Sequence, residues 1–127
     1  MPYKPVCEKV PRSDYFLINA AIVRNLHIEV VATDNLKVLC KMTQKQSKIR
    51  RVLNDLDEAR LNFYLVNDNR STDDQDRSVY QGHAVIIYDH GQLPEEIVSD
   101  YSALGIISEI MERYWQRHLD SGAHATE

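Results

Sequence analysis

Two apolar runs, Asn62-Phe63-Tyr64-Leu65-Val66 and Ser78-Val79-Tyr80-Gln81-Gly82-His83-Ala84-Val85-Ile86-Ile87-Tyr88, flank a polar stretch from Asn67 to Asp76 that holds four Asp and no apolar side chain. Runs rich in β-branched and aromatic residues on either side of such a stretch read as antiparallel strands joined by a long exposed loop. Gly82 inside the second run marks a bulge or a close approach of backbone. A chain with this hairpin must find helices or further strands to cover it, because two strands alone are marginal in water.

The covering elements are legible on both sides. Ser13 and Asp14 are N-cap candidates before a helix over about 14–25, in which Phe16, Asn19/Ala20 and Val23 share a face. Leu26-His27-Ile28-Glu29-Val30-Val31-Ala32 is β-branched and reads as a strand, and Thr33-Asp34-Asn35 is a turn cluster. Leu36 to Met42 fits either a return strand or the first turns of a helix. Ile49, Val52, Leu53, Leu56 and Ala59 recur at helical spacing, predicting a helix over about 43–60. Pro94 followed by Glu95 and Glu96 starts a third helix over about 94–119, with Ile97, Tyr101, Leu104, Ile107, Met111 and Trp115 on one face and a break available at Asp100 to Ser102. The expected fold is α+β: a small antiparallel sheet over about 62–88, extended by 26–32 if that strand joins it, packed against three helices.

With 127 residues, 43% of them hydrophobic and 27% charged, the chain has the composition of one domain over 1–127, with frayed ends at 1–12 and 120–127. No apolar run approaches the roughly 18 residues of a membrane span. The start, Met1-Pro2-Tyr3-Lys4-Pro5-Val6-Cys7, has no apolar core and no small-residue cleavage site, so the expected home is the cytoplasm. Cys7 and Cys40 lack C-x-x-C spacing and are expected to be free thiols. Asn69-Arg70-Ser71 matches a glycosylation sequon, a three-residue pattern without meaning in a cytosolic chain.

Charge is segregated, and this is the strongest functional signal. Lys37, Lys41, Lys45, Lys48, Arg50 and Arg51 fall in one stretch without an acidic residue, while the rest of the chain carries nine basic and nineteen acidic side chains. On a single helix, Lys37, Lys41, Lys45 and Lys48 would form one stripe. Such a stripe suits nucleic-acid phosphates, an acidic protein surface, or the chain's own acidic loop between Asp68 and Asp76. The alternative is a solvated helix face.

A basic helix followed by a long-looped hairpin resembles the order of a winged-helix DNA reader, which would place 37–51 against DNA. The departures are specific: Met42 to Lys48 has no Gly for the tight turn, the hairpin tip is acidic, and the pI of about 5.7 is not that of a nucleic-acid module. His83 on a strand downstream of Cys40 resembles the base and nucleophile of papain-like cysteine hydrolases. No aromatic-flanked cysteine motif surrounds Cys40, and a buried thiol with a sheet histidine accounts for both residues.

His27, Glu29 and His83 converge as a two-His, one-carboxylate set only if their strands pair, and no structural-zinc spacing occurs. Asp68 to Asp74 lacks the central Gly and terminal Glu of a calcium loop, and Gly82, Gly91, Gly105 and Gly122 stand alone rather than in a phosphate cradle. No catalytic residue, metal or cofactor is assigned. The expectation is a small non-enzymatic binding or regulatory protein that docks onto a protein partner. Its electrostatic contacts with that partner would be Lys41, Lys45, Lys48, Arg50 and Arg51 of the basic stretch and Asp73, Asp74 and Asp76 of the acidic loop. Tyr114 and Trp115, on a wide apolar face, are the aromatic contacts or a homodimer seam.

Overall fold

The computed structural model describes residues 10–66, 78–89 and 91–120. Eight regular elements run in the order α1 (Ser13–Val23), β1 (Leu26–Val31), β2 (Val38–Thr43), α2 (Gln46–Asn54), β3 (Glu58–Val66), β4 (Ser78–Ile87), β5 (Val98–Tyr101) and α3 (Ile106–Trp115), with a 3-10 turn at Pro94–Glu96 and a π-helical end at Gln116–Asp120. The class is α+β. The five strands form one antiparallel sheet in the order β2-β1-β3-β4-β5. No helix among the described residues is long and apolar enough to cross a membrane.

Alternation along the central strands separates two faces. Leu26, Ile28 and Val30 of β1, Ala59, Leu61 and Phe63 of β3, and Ala84 and Ile86 of β4 are buried. They share one apolar cluster with Leu17, Ile18 and Ala21 of α1, Ile49 and Leu53 of α2, and Ile107, Ile110, Met111 and Tyr114 of α3. Period two in strands and period 3.6 in helices bring these positions together. The residues between them in the strands, Glu29, Arg60, Asn62, Tyr64 and His83, are only half-buried and belong to the other face.

Two expected helices are corrected, and one open alternative is decided. The helix over 43–60 is limited to Gln46–Asn54, preceded by β2 and followed by β3. Asn54, Asp55 and Asp57 favour local hydrogen bonding over continued helix, and Ala59 is buried as a strand residue rather than as the next helical position. Residues 38–43 are the return strand of a hairpin, so Lys37, Lys41, Lys45 and Lys48 do not line one helix. The helix over 94–119 is divided into a 3-10 turn, strand β5 and α3. Val98 to Tyr101 pairs with the free side of β4, and Gly105 at φ 97° turns the chain before α3 can start.

The N-cap candidates of α1 serve longer reach. Arg12 is the N-cap, and Ser13 and Asp14 are fully buried in the first turn. Ser13 Oγ donates to the Pro94 carbonyl at 2.9 Å and accepts from the Val98 N–H at 3.0 Å, tying α1 to β5. Asp14 accepts from the Tyr15 N–H and the Tyr88 hydroxyl, both at 2.8 Å, and from Arg12 at 2.9 and 3.2 Å. Burial first, and then the negative charge of Asp14, push the Tyr88 hydroxyl well above its ordinary pKa. The Arg12 and Arg50 guanidinium groups lie 3.9 and 3.8 Å from the centre of the Tyr15 ring, fastening α2 to the same corner.

Candidate functional site

The basic residues are delivered by two consecutive elements. Lys37 precedes β2, Lys41 lies within it, Lys45 is the N-cap of α2, and Lys48, Arg50 and Arg51 belong to α2. Lys37, Lys41, Lys45, Lys48 and Arg51 are exposed. The one ion pair among the described residues is Arg12 with Asp14, so none of these five cations is neutralised there. Arg50 differs: it is half-buried, stacked on Tyr15, and its Nε has no hydrogen-bond partner among the described residues.

The positive charge lies along an edge of the sheet, because β2 pairs only with β1. Three large apolar side chains are exposed beside it, Leu36 at 61%, Val38 at 45% and Leu39 at 36%. Lys45 makes no side-chain cap to α2, and the first turn of that helix contains no acidic residue. The positive end of the helix dipole therefore adds to the lysines instead of being offset.

The other expected contacts are placed differently. Asp73, Asp74 and Asp76 lie outside the described residues, as do Cys7 and His90. Tyr114 is fully buried, its ring against Phe16 at 5.0 Å and its hydroxyl donating to the Pro11 carbonyl at 2.6 Å. Burial and, secondarily, Glu95 and Asp14 hold that hydroxyl well above its ordinary pKa. Trp115 is half-buried and donates its Nε1–H to the Tyr101 hydroxyl at 3.2 Å. Both aromatic residues thus contribute to packing within the chain.

The half-buried sheet face carries a hydrogen-bonded chain that spans β1, β3, β4 and the residue after β5. Glu29 Oε1 accepts from Asn62 Nδ2 at 3.1 Å and from the Tyr64 hydroxyl at 3.3 Å. Arg60 donates Nε to Asn62 Oδ1 at 2.9 Å and Nη2 to the Tyr80 oxygen at 3.2 Å. The Tyr80 oxygen and Ser102 Oγ lie 3.3 and 3.2 Å from His83 Nδ1, and Ser102 Oγ also accepts the His83 backbone N–H at 2.9 Å. Which of these two hydroxyl groups donates to Nδ1 and which accepts from it is set by the tautomer of the imidazole. Burial, then the nearby Arg60 charge, lower the His83 pKa against the opposing pull of Asp100. Burial and Glu29 raise that of Tyr64.

Cys40 is 4% exposed within the apolar cluster, whereas His83 lies on the opposite face with two strands between them, so the structure does not bring them together. His27 and Glu29 share that face with His83, but no group of three or more His, Cys, Asp or Glu able to hold a metal occurs among the described residues. An open groove of about 680 Å³ is lined by the carboxylates Asp57, Glu58 and Asp89 together with apolar residues of α2 and β4, and its Arg12 is already paired with Asp14.

Arg60, Tyr80 and Ser102 are members of this network that the sequence reading did not single out. Ala59-Arg60-Leu61-Asn62-Phe63-Tyr64 does alternate apolar and polar, the mark of a half-buried strand, but its start overlaps the helical spacing of 49–59. Compared with protein-family models, with curated proteins and with solved structures, the chain matches none.

Proposed function

We propose that the chain is a small cytosolic, non-enzymatic binding protein that docks onto a protein partner through the basic edge formed by β2 and the start of α2. As the outer strand of the sheet, β2 has one side free for such contact. One observation carries the reading: Leu36, Val38 and Leu39 are exposed next to Lys37, Lys41, Lys45, Lys48 and Arg51, whose charges no described residue neutralises. Apolar contact supplies affinity, while surrounding charge selects an acidic partner and speeds encounter.

The test is a cross-linking pull-down with the wild-type chain and with the triple variant Lys41→Glu, Lys45→Glu, Lys48→Glu, each with and without nuclease. The expected result is a stoichiometric protein partner that survives nuclease and is lost from the variant. Equal recovery by both chains refutes the basic edge as the contact. Recovery of nucleic acid that salt releases in proportion to the lysines replaces the protein partner with a phosphate backbone.

A further inference from the structure

On the reading that the basic edge is the docking surface, we infer that β2 takes an extended acidic segment of the partner as a sixth strand added to its five-stranded sheet. The backbone of β2 supports this mode. The Lys37 carbonyl accepts from the Ala32 N–H at 2.9 Å in the β1–β2 hairpin. In a planar trans peptide the N–H points opposite to the carbonyl, so the Val38 N–H on the far side of that unit is directed away from β1. A sheet edge with outward donors is a template for another strand, and apolar pockets or side chains at alternate positions give the added strand its hold. Val38 and Leu39 expose one apolar side chain on each face at the start of β2, and Leu36 adds a third just before it.

Charge decides the occupant. Lysines on an edge strand are a common guard against self-pairing. A second copy laid antiparallel on β2 would set Lys37 and Lys41 near the same residues of its twin, and like charges opposite one another on a sheet are destabilising. A strand bearing Glu or Asp at those positions reverses the sign of every such pair. The preference continues past the strand, because α2 begins at Lys45 with an uncapped N-terminus and no acidic residue in its first turn. The opposite edge lacks these features: β5 has four residues and exposes Ser99 and Asp100.

The probe is a peptide of alternating Glu and Val, about eight residues long, matched to a typical strand. It is titrated into the full chain by NMR against an alternating Lys and Val control. Expected are binding of the acidic peptide alone, slowed exchange of the Val38 amide, and cross-strand contacts between peptide and β2. Lys41→Glu with Lys45→Glu should weaken binding roughly tenfold or more at low salt. Val38→Pro removes the outward N–H at a position where the ladder to β1 does not use it. With the fold verified by circular dichroism, this variant should lose the peptide. Binding that is sensitive to the lysines but unchanged by Val38→Pro, with no protection of the Val38 amide, overturns strand addition and leaves charge-directed docking in place. Absence of acidic-peptide binding, or dimerisation of the chain through β2 in sedimentation, overturns the acidic strand as occupant.

Discussion

Gly82→Ala tests whether the sheet and α3 are fitted as closely as they stand. Gly82 has φ 138°, and a Cβ built there would lie 2.9 Å from Ser102 Oγ and 3.1 Å from Ile107 Cγ1. An L-residue forced to a glycine-only backbone conformation costs about 2 kcal/mol. The overlap adds about 1–2 kcal/mol of overpacking, because Ser102 Oγ can turn aside only by giving up the bond it accepts from the His83 N–H. The expected loss is therefore about 3 kcal/mol, a factor of roughly 100 in the folding equilibrium and about 10 °C in Tm for a chain of this size. Urea unfolding followed by Trp115 fluorescence and by far-ultraviolet circular dichroism measures it, with coincident transitions and an unchanged slope required. The double variant Gly82→Ala, Ser102→Ala removes the nearer of the two contacts. It should be more stable than the sum of the single variants by about 1 kcal/mol. A loss below about 1 kcal/mol for Gly82→Ala, or strict additivity in the cycle, refutes the close fit.

Two further predictions concern buried and titrating groups. Asp14→Ala leaves the Tyr88 hydroxyl, the Tyr15 N–H and Arg12 without their shared acceptor, with an expected loss of about 3 kcal/mol; Tyr88→Phe should cost about 1.5 kcal/mol. Arg12→Gln should cost less than either, since the Arg12 side chain is 39% exposed and partly screened, and any other ranking in denaturant melts contradicts this account. His83 has its pKa lowered by burial and by Arg60, so the folded chain binds the proton less readily than the unfolded one. Its contribution is complete above the ordinary histidine value of about 6.5 and is lost as pH falls through the lowered value. His118 is shifted the same way by burial and Arg117. His83→Gln should flatten part of the stability slope in that range and the double variant with His118→Gln more of it; identical slopes for wild type and variants exclude the assignment.

The elements that could be read from the sequence are those whose pattern has one solution. The hairpin from Asn62 to Tyr88 is such a case, and so is Gly82. The glycine stands at a register shift between Phe63 and Tyr64 and also against Ser102 and Ile107, so both meanings of a strand glycine apply. The pattern misleads where two periods coincide. Ala59 is three residues beyond Leu56 and also alternates with Leu61 and Phe63, and only pairing with β4 decides between the two. Ile97, Tyr101 and Leu104 suit a helix face, yet β4 has an unpaired side that draws Val98 to Tyr101 into the sheet, leaving Leu104 85% exposed. The basic residues were visible as a charge excess, but their arrangement along an edge depends on β2 being a strand. Leu36 to Met42 alone does not determine that.

The strand order has a consequence for how the chain comes into being. As synthesis proceeds, β2 meets β1, β3 meets β1, β4 meets β3 and β5 meets β4, so every strand emerges after a partner it can join. The amino-terminal helix is the exception. Its long-range hydrogen bonds, linking Asp14 with Tyr88, Ser13 with Pro94 and Val98, and the Pro11 carbonyl with Tyr114, join it to the last third of the chain. The first helix to leave the ribosome is thus the last to be fully secured, and a nascent chain arrested at Val66 holds α1 by apolar contact and the stacking of Arg50 on Tyr15, without those hydrogen bonds.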